Sequence, residues 1–184
     1  MKADHHLLQQ RIHTRLGWLT AVRSERGLSG LWFDAQKHHP GVLALPTAKA
    51  DPVLGRVEEA LQGYFDRTPL PSAVLSALDP RGTPFQQEVW RALLGIVPGS
   101  SQSYSALARQ LGRPLAGRAV GAAVGRNPVS ILIPCHRVLG ARGQLTGYAG
   151  GLYRKMAPLQ LEGAQFCNWL DGAGADQASV LSLR

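Results

Sequence analysis

A proline-rich break divides this chain into two stretches of different hydrophobic period. Pro69, Pro71, Pro80 and Pro84 fall within residues 68–84. Ahead of them, Arg11-Ile12-His13-Thr14, Gly17 to Val22, Gly27-Leu28-Ser29 and Gly30 to Phe33 are short strand-like runs. The Leu16-Gly17 turn and the other glycines punctuate them, which predicts an antiparallel meander. His38 to Gly41 reads as a loop. Val53, Leu54, Val57, Ala60, Leu61, Tyr64 and Phe65 then recur at the 3–4 spacing of an amphipathic helix, with Asp51 placed to cap it ahead of Pro52. The proline-rich segment itself reads as an interdomain linker.

Beyond the break the text is helical. Thr83-Pro84 opens a helix whose apolar stripe is Phe85, Val89, Trp90, Leu93, Leu94 and Val97, ended by Pro98-Gly99. Ser103 to Gly112 is a short helix closed by its glycine, and Arg113-Pro114 turns the chain. Ala116 to Arg126 is a second helix built almost wholly from Ala, Gly, Val and Arg. Two short helices joined by a tight turn make a helix-turn-helix pattern. Early strands and later helices predict the α+β class. The expected division is an antiparallel sheet with a helix at 1–80, a mainly helical domain at 81–163, and a Gly/Ala/Asp/Ser-rich tail at 164–184 that frays.

Composition narrows the classes. With 184 residues, 45% of them hydrophobic and 17% charged, the chain can bury a core, which excludes disordered, collagenous and fibrous proteins. No apolar run approaches the ~20 residues a bilayer span needs, so no membrane partner is expected. Met1 to Gln10 carries no signal-peptide stretch. Cys135 and Cys167 are too few for a disulfide framework, which points to a reducing, cytoplasmic setting. The formal net charge of +8 is unevenly spread. Residues 81–163 hold 10 basic residues and only 2 acidic ones, Glu88 and Glu162. That excess fits either a solvated basic face or a phosphate-tracking surface.

Cys135 is the residue best placed for chemistry. A free cysteine is usually a small buried hydrophobe. Here the apolar run Val129 to Ile133 leads to it, Pro134 stiffens the approach, and His136 and Arg137 follow. Cationic neighbours lower a thiol's pKa, so a depressed pKa is expected. Neighbouring residues of extended chain face opposite ways, so His136 would reach the sulfur through a water, held by a carboxylate. Glu162 is the better candidate for it; Glu88 reads as surface. Cys167, near the tail, reads as inert. The pairs among His5, His6, His13, His38 and His39 match no standard zinc spacing, and no metal or cofactor is expected. The second helix of the pair lacks the Asn, Gln and Lys of a major-groove reader. Ala116, Ala119, Gly121 and Ala122, with Gly117, offer a smooth face suited to a narrow groove, and Arg118 is the one long cation near its start.

Pro134-Cys135-His136-Arg137-Val138, preceded by Asn127-Pro128 and Ile131-Leu132-Ile133, resembles the active-site motif of the DNA-alkylguanine alkyltransferases. Those proteins repair 6-O-methylguanine as methylated-DNA–protein-cysteine methyltransferases. The similarity runs from about Thr83 to Gly163 and includes Arg118-Ala119-Val120-Gly121 and Gly147 to Gly151. The N-terminal half resembles the family's ribonuclease-H-like domain in layout only.

The resemblance implies a role for each matching residue. Cys135 accepts the alkyl group, and His136 and Glu162 complete a water-linked relay that deprotonates it. Tyr104 donates a hydrogen bond to the guanine ring, and Arg118 fills the gap left by the flipped nucleotide. Asn127 links the second helix to the active-site turn. Tyr148 and Val138 belong to the substrate pocket, and the Ala149 amide meets the guanine oxygen. The implied partner is double-stranded DNA bearing an alkylated guanine, bound through its minor groove by a monomer. The product thioether has no carbonyl for water to attack, so each molecule acts once. The zinc cysteines of some relatives are absent, and Pro158 interrupts a stretch that relatives keep helical.

Two other classes compete. A DNA-binding regulator or lesion sensor would use the helix pair alone and needs no nucleophile. A Cys–His hydrolase would bring a distant histidine onto the cysteine, and here the nearby histidine is its chain neighbour. The alkyl-transfer reading requires the thiol to lie in a cleft that an extruded purine can reach.

Overall fold

The computed structural model describes residues 7–167. β1 (Leu8–Thr14), β2 (Gly17–Arg23) and β3 (Leu28–Phe33) form an antiparallel sheet in that order. Ile12 pairs with Leu19 and Leu19 with Phe33, and all three are fully buried, so the register carries one apolar row across the strands. Gly17 takes φ +105° in the β1–β2 turn, a conformation that costs a residue with a Cβ. α1 (Pro52–Phe65) packs on this sheet through Leu54, Val57, Leu61, Tyr64 and Phe65. Its start is secured by Asp51, whose carboxylate accepts from the Val53 and Leu54 amides at 3.0 Å each and from Arg23 Nε at 2.7 Å.

The segment read as a linker is instead packed. It contains α2 (Ser72–Ser76), and its backbone pairs with the edge of β3. Leu28 donates to the Ala77 carbonyl and Asp79 donates to the Leu28 carbonyl, each at 2.8 Å. Leu70, Val74 and Leu78, four residues apart, bury against the core, and this apolar spacing outweighs the proline signal.

The same edge of β3 also receives the chain that leads to Cys135. Leu31 donates to the Pro128 carbonyl at 2.8 Å and accepts from the Ser130 amide at 2.9 Å. Beside this pairing, Gln36 Oε1 accepts from the Phe33 amide at 2.9 Å and from Ser130 Oγ at 3.0 Å. Arg154 reaches across to the Leu16 and Asp34 carbonyls, its guanidinium 4.5 Å from the centre of the Phe33 ring. One apolar cluster therefore runs from Ile12 to Val138 and includes residues of both halves.

The second half consists of α3 (Pro84–Leu94), β4 (Gln102–Ser103), α4 (Tyr104–Gln110), α5 (Gly117–Gly125), a 3₁₀ turn at Cys135–Arg137, β5 (Val138–Leu139) and α6 (Leu152–Leu161). The α+β class expected from the sequence is met. α3 opens with a capping box between Thr83 and Gln86. It ends earlier than its apolar stripe suggested, which leaves Val97 64% exposed. Trp90 Nε1 donates to the Ala123 carbonyl at 2.9 Å and fixes α5 on α3. α6 continues through Pro158 rather than stopping there. Pro158 removes only the bond to the Arg154 carbonyl, and its own carbonyl accepts from Glu162 N at 3.0 Å. The tail expected to fray from Ala164 is held as far as Cys167, which donates to the Gly143 carbonyl at 2.8 Å. The rest of that tail, and His5 and His6, lie outside the described residues. Among the described residues, no helix is long and apolar enough to cross a membrane.

Gln36 is 5% exposed, and its side chain joins the sheet to the segment before Cys135. Replacing it strands the Phe33 amide and the Ser130 hydroxyl. Gln36→Leu is expected to lower unfolding free energy by about 1–3 kcal/mol in urea denaturation.

Candidate active site

Cys135 stands where a buried, irregular stretch meets a single turn of 3₁₀ helix. Residues 129–139 are all buried, and Ile131 takes φ +69°, a strained conformation for a β-branched residue. Asn127 holds this stretch together. Its Oδ1 accepts from the Val129 amide at 3.0 Å, and its Nδ2 donates to the Ile133 carbonyl at 2.9 Å and to Cys135 Sγ at 3.0 Å. The amide that ends the turn after α5 thus also touches the sulfur.

The thiol lines a cleft with Asn127, Ser130, Tyr148 and Ala149, and is itself 6% exposed. The cleft is narrow, with about 10 Å³ of free volume beside the sulfur. Burial pushes the thiol pKa up, against the hydrogen bond from Asn127, the nearby Tyr148 hydroxyl and the charge of Lys155. This corrects the expectation of a thiol acidified by its sequence neighbours. Arg137 is engaged elsewhere, and the nearby cation is Lys155, fully buried on α6. Lys155 Nζ donates to the Thr146 carbonyl at 2.8 Å. Burial lowers its pKa to about 8 while the charge of Cys135 pulls it back up, so it keeps its proton at neutral pH.

The chain at Cys135-His136 is a tight turn, not the extended strand expected. His136 is fully buried and its Nε2 lies 3.1 Å from Glu162 Oε1. Burial lowers the imidazole pKa, and the hydrogen bond and charge of Glu162 only partly restore it. A carboxylate can only accept, so the neutral ring carries its proton at Nε2. Nδ1 is then a bare lone pair, and it is buried without a partner.

Glu162 caps α6 with a side chain only 4% exposed. It accepts from Arg137 Nε and Nη2 at 2.8 Å each and from the Tyr64 hydroxyl at 2.6 Å, besides His136. Arg137 Nη1 also donates to the Ile96 carbonyl. Burial alone would raise the carboxyl pKa, but the bonds from His136 and Arg137 hold it well below the usual carboxylate range. Glu88, the other acidic residue of this half, pairs with Arg113 at 2.5 Å and ties the helix-turn-helix turn to α3.

The remaining sequence candidates fall in four places. Tyr104 is half-buried; its hydroxyl accepts from Thr146 Oγ1 at 3.5 Å, and burial, with Cys135 adding, raises its pKa. Tyr148 and Ala149 line the cleft. The Tyr148 hydroxyl lies close enough to Cys135 and Ser130 to be perturbed by both, yet makes no well-formed hydrogen bond. Val138 does not join them: it is fully buried in β5, paired with Gln102. On α5, Arg118, Ala119 and Ala122 are exposed, Ala116 is half-buried, and Gly121 faces the Tyr104 ring, 3.6 Å from where a Cβ would stand.

Sequence reasoning missed Lys155, Ser130, Tyr64 and the clamp of Arg137 on Glu162. Lys155 could have been noticed, since it shares the buried stripe of α6 with Pro158 and Leu159 at 3–4 spacing. Tyr64 carried no signal beyond its place on an apolar stripe.

Stability should report the ionised carboxylate. Because the folded pKa of Glu162 lies below its ordinary 4.5, the stabilisation is full above that value and lost as pH falls through it. The advantage of the wild type over Glu162→Gln in thermal melts should be constant above about pH 5 and shrink steadily in more acid buffer.

Comparison with known proteins gives a coherent set. The family model described as 6-O-methylguanine DNA methyltransferase, DNA binding domain, matches residues 84–164. The chain is 60% identical over 85 residues to the methylated-DNA–protein-cysteine methyltransferase of Mycobacterium tuberculosis (strain ATCC 25618 / H37Rv), covering 46% of this chain and 52% of that protein. The match thus spans about half the length of that curated relative. The crystal structure of Mycobacterium tuberculosis OGT in complex with DNA superposes with a TM-score of 0.74 at 39% identity, over 84% of this chain and 92% of that one. The O6-methylguanine-DNA methyltransferase of Pyrococcus kodakaraensis strain KOD1 gives 0.60 at 28% identity, over 86% and 99%.

Proposed function

We propose that this chain, which belongs to the 6-O-methylguanine DNA methyltransferase family, repairs DNA by moving an alkyl group from the oxygen of a 6-O-alkylguanine onto Cys135. The observation that carries the reading is the single arrangement around that sulfur. A cleft-lining thiol is held by Asn127, and behind it stands a buried His136–Glu162 pair whose imidazole keeps an unpartnered Nδ1.

Alkyl transfer from guanine needs a thiolate and a donor onto the departing base. The resting thiol is held protonated by burial, so its proton leaves as substrate arrives, through one water to His136 Nδ1. The imidazolium so formed is stabilised by Glu162, and Lys155 favours the thiolate. The sulfur attacks the alkyl carbon, a carbon–sulfur bond forms, and the carbon–oxygen bond breaks with its electrons passing into guanine. Tyr104 and the Ala149 amide receive that charge as hydrogen-bond donors. The thioether is inert to water, so the protein is spent after one turnover.

The target atom lies inside a duplex, and extruding its nucleotide costs a few kcal/mol. The exposed face of α5, with Ala119 and Ala122 beside Arg118, suits a minor groove, and Arg118 would occupy the vacated stack. The basic excess of residues 81–163 supplies phosphate contacts. The protein would act as a monomer in the cytoplasm, where thiols stay reduced.

After incubation with a duplex bearing 6-O-methylguanine, peptide mass analysis should find one added methyl on the Cys135 peptide and none in Cys135→Ala. Tight lesion binding without a mass change would instead identify a sensor and overturn the reading. Arg118→Ala should slow transfer from duplex at least tenfold while leaving transfer from the free alkylated base nearly unchanged. Equal losses on both substrates would remove Arg118 from nucleotide extrusion.

A further inference from the structure

Tyr64 belongs to α1 in the N-terminal half, far in sequence from the reactive motif. Its neighbours on the apolar stripe, Leu61 and Phe65, are buried hydrophobes, and its ring meets Phe65 edge-on with centroids 5.4 Å apart. Packing alone would be served by phenylalanine. The hydroxyl, however, is aimed out of the N-terminal core at Glu162 Oε1, 2.6 Å away. That oxygen is also the one facing His136 Nε2 at 3.1 Å, and it takes Arg137 Nη2 at 2.8 Å. Three donors from two halves of the molecule converge on one atom.

We propose that Tyr64 is a positioning residue of the His136–Glu162 relay, through which the N-terminal helix sets how strongly His136 holds a proton. The hydroxyl and the imidazole N–H compete for the charge of one carboxylate oxygen. A donor on that oxygen withdraws charge from the His136 contact and makes the imidazolium less stable. Burial, reinforced by the Glu162 charge, keeps the phenol protonated far above neutral pH, so it remains a donor throughout. The charged or titratable groups that bear on His136 are Glu162, Arg137 and Lys155; those that bear on Tyr64 are Glu162, Arg137 and Tyr148. Tyr64→Phe leaves each of these side chains in place and removes only the hydroxyl's bond to Glu162.

This inference rests on the alkyl-transfer reading only for its kinetic consequence, so its test begins without substrate. The His136 imidazole is titrated by NMR in the wild-type protein and in Tyr64→Phe. Loss of the hydroxyl should raise the proton affinity of His136 about threefold to tenfold. The acid limb of the pH profile for methyl transfer to Cys135 should move the same way. A second variant carrying 3-fluorotyrosine at position 64, a stronger donor, should move the His136 titration in the opposite direction, which a purely packing role cannot do. Superimposable titrations in all three proteins would overturn the proposal. Shifted titrations in proteins that leave Cys135 unmethylated would sustain Tyr64 as a relay residue while overturning the repair function.

Discussion

The buried carboxylate of Glu162 is the interaction on which the reactive half is built. An isolated charge in that position would be strongly disfavoured, and it is tolerated because four hydrogen bonds meet it. Those bonds come from Tyr64 on α1, from His136, and twice from Arg137. The carboxylate thereby ties α1, the 3₁₀ turn and the end of α6 at one point. It also determines which imidazole nitrogen is left bare.

A second constraint comes from the edge of β3. An unpaired edge strand would expose a row of backbone donors and acceptors. Here two stretches distant in sequence cover it, residues 77–79 at Leu28 and residues 128–130 at Leu31. The second pairing places Ser130 and, five residues later, Cys135. The N-terminal sheet is therefore a template for the strained stretch at Ile131 as well as a packing partner. Asn127 completes the arrangement from the other side with bonds to the Val129 amide, the Ile133 carbonyl and the sulfur.

The cleft beside the thiol is tight. Its Gly147–Ala149 wall comes from a loop rich in glycine, and Gly151, at φ +89°, ends that loop at the start of α6. Lys155 lies one turn into the same helix and donates to the carbonyl of Thr146 on the loop. One buried cation thus joins the loop that walls the cleft to the electrostatics of the sulfur. The helix-turn-helix is fastened separately, by the Glu88–Arg113 pair and by Trp90 on the Ala123 carbonyl.

Local chemistry made much of this legible in advance. The three-strand meander followed from alternating runs broken by glycine, and α1 from its 3–4 stripe, its aspartate cap and Pro52. The Cys135–His136 adjacency and the small-residue helix were likewise open to reading, because spacing and residue type are properties of the chain itself. Other features depended on what lies across the fold. Whether Cys135 is acidified depends on burial and on Lys155, twenty residues away, and Arg137, the neighbour in sequence, turned out to serve Glu162. The proline-rich segment looked like a linker until an unpaired strand edge gave its backbone a partner. Tyr64 read as one more core aromatic. Hydrophobic period records which face is buried, whereas the direction of a single hydroxyl and the dielectric around a single thiol are fixed only when distant segments close around them.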